Sequence, residues 1–198
     1  MASKKKRIYF YVDGRSERAL RDKIDQQKII PIFVQRTLNG KTVTLDAIAK
    51  ECAKLLEAYR NLSKYHIFII DKEKRATISA SEMETTLVQS IKKLGQDEFD
   101  LVVADIMFEN WILSDIHNVS TCHSDRLKLT ANSKEFEGKH GVSELDNVWI
   151  QPNARYSSDK VGNAKRFFKS VRPDEGKKHS CSFDKFVNIL TKNGVSLF

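Results

Sequence analysis

His66-Ile67-Phe68-Ile69-Ile70-Asp71-Lys72-Glu73 sets an unbroken apolar run directly before two acids. A strand with one face in water alternates apolar and polar residues. Ile67 to Ile70 do not alternate, so this strand is expected to be buried on both faces, as in a parallel sheet covered by helices. Upstream, Ile8 to Val12 is a second β-branched and aromatic run, and it too is closed by an acid, in Val12-Asp13-Gly14-Arg15-Ser16-Glu17. Asp13-Gly14 supplies turn chemistry, and Ser16 can cap a helix running to about Asp25. Ile29 to Val34 reads as a strand, with Pro31 favouring an edge because proline has no N–H for the ladder. After the Asn39-Gly40 turn, Leu45, Ile48, Ala49, Cys52, Leu55, Leu56 and Tyr59 recur at helical spacing, which predicts an amphipathic helix over 46–61. A further helix over about Ser81 to Leu94 stops near Gly95, and Leu101 to Met107 is a fourth strand.

This alternation of strand and helix predicts an α/β protein with a mainly parallel four-stranded sheet flanked by helices. Glu109 to Asp115 continues as a helix. Val119 to Glu144 is polar and irregular, a long surface excursion, and helical character returns at Ala164 to Val171 and Phe183 to Leu190. The expected organisation is an α/β domain over 1–119 with a loop and helical C-terminal extension over 120–198 packed on it, since the second part is too small for a large core of its own.

The 198 residues are 40% apolar, with 11 Phe, 5 Tyr and 2 Trp, which excludes a mainly disordered chain. The 34 Lys and Arg against 26 Asp and Glu give a formal charge of +8, a surface suited to a polyanion such as DNA or RNA. Cys52, Cys122 and Cys181 are odd in number and far apart, so neither a disulfide framework nor a paired-cysteine zinc site is expected. Cys122-His123, with His117 upstream, reads as an ordinary loop. The run Lys4 to Arg7 reads as a solvated basic terminus, no apolar stretch reaches membrane-spanning length, and a cytoplasmic location is expected. Oligomeric state is not legible.

The chemistry lies in the acids that follow the two strands. In an open parallel sheet the ligand crevice lies beyond the carboxyl ends of the strands, so acid-tipped neighbours bring hard oxygen ligands to one place. Asp13 and Asp71 can ligate Mg²⁺ or Mn²⁺ directly, Glu73 shares a face with Asp71 if the chain stays extended, and Glu17 lies a turn into the next helix. Taken singly, each acid serves equally well as a helix cap or a solvated turn residue. Late in the chain Lys165, Arg166, Lys169, Arg172, Lys177, Lys178 and Lys185 interleave with Phe167 and Phe168. The phenylalanines read as core anchors and the cations as contacts to phosphate, with Arg155 and Tyr156 on the same face. Lys72, Lys74 and Arg75 are further cations able to offset charge on a phosphate. No Walker A motif is present.

Val12-Asp13-Gly14-Arg15-Ser16-Glu17-Arg18-Ala19-Leu20 followed by Ile69-Ile70-Asp71-Lys72-Glu73 resembles a Toprim domain, the metal-dependent fold of topoisomerases, primases and overcoming-lysogenization-defect nucleases. Phe108-Glu109-Asn110-Trp111-Ile112-Leu113-Ser114-Asp115 is similar to the E-x-W-L-L-A-D segment of small Toprim-like proteins encoded beside AAA or ABC-type ATPases in abortive-infection operons. Ser180-Cys181-Ser182-Phe183-Asp184-Lys185-Phe186 is similar to their S-P-S-F-x-x-F segment. The resemblance spans most of the chain and departs in two places: Asp13 stands where Glu is usual, and Glu73 where the second Asp of an Asp-x-Asp pair is usual. It implies a Mg²⁺- or Mn²⁺-dependent nuclease acting as an antiphage effector with an ATPase subunit. Asp13, Asp71 and Glu73 would hold the metal, Glu17 and Glu109 would be further catalytic acids with Asp115 nearby, and Lys72, Lys165, Arg166, Lys169 and Arg172 would bind nucleic acid. The alternative is a catalytically degenerate Toprim-like module that binds or regulates an ATPase assembly.

Overall fold

The computed structural model describes residues 5–38, 42–73, 78–130, 136 and 138–198. Four parallel strands, β1 (Lys6–Val12), β2 (Ile29–Gln35), β3 (His66–Asp71) and β4 (Asp100–Ala104), form one sheet in the order β2-β1-β3-β4. The protein is therefore α/β with a four-stranded parallel sheet, as the unalternated 67–70 run predicts, and β3 is buried along its whole length. Pro31 lies in β2, the edge strand, where its missing N–H breaks no ladder on the open side.

Helices cover both faces. On one face α1 (Leu45–Tyr59) and α2 (Ala80–Lys93) bury Ile48, Cys52, Leu56, Met83, Leu87 and Ile91 against Tyr9, Tyr11, Phe68 and Ile70. Thr44 caps α1, and Ser79 with Glu82 forms a reciprocal capping box at α2, whose end is set by Gly95 at φ +81°. The opposite face carries a 3-10 helix (Ser16–Asp22), then α3 (Glu109–Leu113), α4 (Ile116–Cys122), α5 (Gly141–Asn147), α6 (Lys160–Phe168), α7 (Pro173–Gly176) and α8 (Cys181–Lys192). Its core joins Phe10, Val12, Ile69 and Ala104 of the sheet to Phe108, Trp111, Phe167, Phe168, Phe183 and Phe186, so the segment after residue 119 completes one core with the sheet. Trp111 is fully buried, stacked 4.9 Å from Phe186, and its indole N–H donates to Ser182 Oγ at 2.9 Å.

Several expectations are corrected. The segment after Asp13 is a 3-10 helix that Ser16 does not cap. Ser16 lies inside it and buried, and Arg15 before it already has helical φ and ψ. β4 stops at Ala104 because Ile106 takes φ +67°. The 119–144 stretch is not wholly a surface excursion: α4 continues to Cys122, Leu127 bridges Trp149, and Val119, Leu127 and Phe136 enter the core. Their apolar side chains come singly, which hides them from periodicity. The basic N-terminal run is partly strand: Lys6 lies in β1, with Nζ 3.3 Å above the Tyr65 ring. Lys4, the Asn39-Gly40 turn, Lys74 and Arg75 lie outside the described residues. Among the described residues no helix is long and apolar enough to cross a membrane.

Candidate functional site

Asp13 follows the end of β1, and Asp71 is the last residue of β3, the other central strand. The register pairs Val12 with Ile69, so Asp13 comes level with Ile70, one residue short of Asp71, at the carboxyl edge of the sheet. Asp71 N–H donates to Asp13 Oδ2 at 3.0 Å, a direct link between the two acidic turns. Asp13 is 5% exposed, Asp71 8%, Glu17 2% and Glu109 0%, so four carboxylates are buried at this edge. Glu17 folds back over the turn. A Cβ on Gly14 would lie 3.2 Å from Glu17 Oε2, so the glycine provides room for that carboxylate, and its φ is not in the left-handed region.

Burial first, then the charges of Glu17, Asp13 and Glu109, hold Asp71 well above the usual carboxylate range, against the pull of Lys160. Glu17 is pushed up to about 7, chiefly by burial, with Glu109 and Asp13 adding to it while its own backbone hydrogen bond and Lys160 oppose. Among the described residues, Arg36 and Lys160 flank the group. Arg36 follows the end of β2, opposite Asp13 in the register, with its Nε 3.2 Å from Asp13 Oδ1 and 3.4 Å from Glu51 Oε2. Lys160, at the start of α6, brings Nζ to 3.3 Å from Glu109 Oε1, the same oxygen that accepts from the Tyr156 hydroxyl at 3.2 Å. Burial and then Glu109 raise the Tyr156 hydroxyl above its ordinary pKa, so it acts as a donor. Lys160 is raised: burial opposes its charge, and Glu109, Asp71 and Glu17 outweigh that.

The structure thus brings together Asp13, Glu17, Asp71 and Glu109 of the expected acids. Glu73 is placed differently. β3 ends at Asp71, and Glu73 turns to φ +52° with its N–H donating to Ile106 C=O at 2.6 Å, so the two acids do not share an extended face. Asp115 is a clamp: its Oδ2 accepts from Arg172 N–H at 2.8 Å and Nε at 3.0 Å, and its Oδ1 from Nη2 at 2.8 Å. Arg172, expected on the phosphate-binding face, is thereby engaged in tying α4 to α7.

As metal ligands, the four carboxylates offer hard oxygen donors of the kind Mg²⁺ or Mn²⁺ prefers. Glu17 Oε2 and Glu109 Oε2 are buried without a hydrogen-bond donor among the described residues. Among those residues no three His, Cys, Asp or Glu side chains form a ready-made metal-holding group. The fit is one of donor chemistry: Asp71 Oδ1 is occupied by Phe108 N–H at 2.9 Å, and Glu109 Oε1 by Tyr156 and Lys160.

The remaining basic residues lie on α6 and around it. Lys165 Nζ and Lys169 Nζ approach Asp22 Oδ2 at 3.3 and 3.4 Å, both well exposed, and Arg166 Nη1 donates to Asn163 Oδ1 at 3.0 Å. With His123, Gly162 and Ser170 they line a surface groove of about 430 Å³. His123, expected in a loop, bonds Ser170 Oγ through Nε2 at 2.9 Å. Phe167 and Phe168 are core residues, as expected, and Tyr156 is buried with them, not on the basic face. Lys177, Lys178 and Lys185 pair with Asp174, Glu175 and Glu84. Lys72, half-buried, donates its N–H to Ala104 C=O.

Arg36 and Lys160 are site residues that sequence reasoning missed, and Tyr156, expected on the basic face, belongs to the acidic site instead. Only Arg36 carried a usable signal, its place two residues past Ile29 to Val34, the strand expected at the sheet edge. No family model, curated protein or solved structure matches the chain.

Proposed function

We propose that this protein is a Mg²⁺- or Mn²⁺-dependent nuclease, a Toprim-like effector subunit that works with an AAA or ABC-type ATPase in antiphage defence. The observation that carries the chemistry is the convergence of Asp13, Glu17, Asp71 and Glu109, all buried, at the carboxyl edge of the two central strands. Concentrated anionic charge away from water is costly unless a proton or a cation neutralises it. Asp13, Glu17 and Asp71 would hold the cation, with Glu73 reaching it from the adjoining turn. A bound divalent cation supplies Lewis-acid polarisation of a phosphodiester and an activated water. Arg36 fixes Asp13, the Tyr156 hydroxyl orients Glu109, and the groove cations Lys165, Arg166 and Lys169, together with Lys72, engage phosphates along DNA or RNA. The ATPase and defence roles rest on the sequence resemblance alone.

A second reading, a catalytically degenerate module, is favoured by the bonds the same carboxylates make: Asp71 receives Phe108 N–H, Asp13 receives Asp71 N–H, and Glu109 receives Tyr156. Cleavage of DNA and RNA by the purified chain, with Mg²⁺, Mn²⁺ or EDTA and with or without the ATPase, decides between them. Metal-dependent cleavage abolished by Asp71→Asn supports the nuclease. Cleavage that survives in Asp71→Asn, or none under any condition with the partner bound, supports the module.

A further inference from the structure

Lys160 differs from Arg36 at the acidic cluster. Arg36 is enclosed, its side chain 0% exposed and set between Asp13 and Glu51 with Nη1 on Cys52 Sγ at 3.7 Å. Lys160 is 41% exposed along its side chain, so a flexible stem runs from solvent to an ammonium 3.3 Å from Glu109 Oε1. Its backbone is fixed: Asp159 caps α6 by accepting from Gly162 N–H at 3.1 Å. In the same cluster, Glu109 Oε2 and Glu17 Oε2 are buried and have no donor among the described residues. The lysine thus supplies cationic charge at Glu109 Oε1, which it shares with the Tyr156 hydroxyl, in a cluster where two further buried carboxylate oxygens have no donor among the described residues, and it has a route outward.

Resting on the reading of this cluster as a divalent-cation site, we propose that Lys160 is a built-in competitor of that cation. Its ammonium neutralises the carboxylates in the metal-free protein and swings to solvent when a metal ion enters. Two cations within one group of carboxylates repel each other, and the coupling is reciprocal: whatever the ammonium contributes to the metal-free state, metal binding must overcome.

Lys160→Met keeps the apolar stem and deletes the charge. Titration calorimetry with Mn²⁺ should show about tenfold tighter binding than wild type, and without metal the variant should melt at a lower temperature. In the wild-type chain, Lys160 should acylate faster with an amine-reactive reagent once Mn²⁺ saturates the protein, read by mass spectrometry of the digest; this measurement needs no variant to fold. Mn²⁺ binding by Lys160→Met that equals or falls below wild type, or a Lys160 labelling rate that saturating Mn²⁺ leaves unmoved, overturns the competitor role and leaves the metal reading standing. No Mn²⁺ binding by either protein overturns both.

Discussion

Glu17 carries the sharpest consequence of the buried cluster. Burial, reinforced by Glu109 and Asp13, moves its pKa from the ordinary 4.5 to about 7, so between those values the folded chain holds a proton that the unfolded chain has released. The stabilisation is complete below about pH 4.5 and lost as pH rises through about 7. Denaturant unfolding in EDTA should therefore show stability falling across that window, and Glu17→Gln, which cannot ionise, should flatten the fall and exceed wild type at pH 8. Stability rising with pH over the same range would mean that a cation already neutralises Glu17. Asp71 separates charge from hydrogen bonding. Its Oδ1 accepts the Phe108 N–H, which Asp71→Asn preserves and Asp71→Ala leaves buried and unpaired. The alanine variant is expected to be less stable than the asparagine variant by about 1–3 kcal/mol in the same unfolding measurement. Asp13 and Asp71 were legible because acids that close apolar runs must fall at strand ends. Tyr156 and Lys160 were not legible as site residues, and Arg36 was only by its place just past an edge strand, because what makes each a site residue is the distant partner it meets.

Among the elements, the strands and the two long helices were legible because each repeats its burial pattern over several residues and carries its own punctuation, such as the Ser79 and Glu82 box and Gly95. The pieces the sequence hid are short: α4, α7 and the 3-10 character of the helix expected after Asp13 are fixed by packing, so local pattern underdetermines them. α7 is the clearest case. It spans only Pro173–Gly176, and Gly176 lies so close to its neighbours that an added Cβ would sit 2.7 Å from the Phe183 ring and 2.8 Å from Ser114 Oγ. Phe183 belongs to the core that also holds Trp111 and Phe168. Gly176→Ala must push α7 off α8, at a cost of about 1–3 kcal/mol in a chemical-denaturation measurement. A change below a few tenths would show that α7 adjusts freely and does not fix the start of α8.

At the scale of the whole molecule, a formal charge of +8 does not by itself locate a nucleic-acid surface, because many of the cations are already matched. Arg172 is held by Asp115, and Lys177, Lys178 and Lys185 by Asp174, Glu175 and Glu84. Among the described residues, one place where accessible cations gather is the groove on α6, where Lys165 and Lys169 share one aspartate, Asp22, beside Arg166. Exposed ion pairs of this kind add little stability, so Asp22 restrains the two lysines only weakly and a phosphate can replace it. Reversing all three cations to Glu should weaken DNA or RNA binding and reduce the dependence of log affinity on log salt by about 2 to 3, while the melting temperature stays near wild type. Asp22→Asn gives the opposite sign: with the competing carboxylate neutralised, affinity should rise. If the triple reversal leaves both affinity and salt slope unchanged, the groove is a solvated face, and any nucleic acid must follow another path to the acids at the sheet edge.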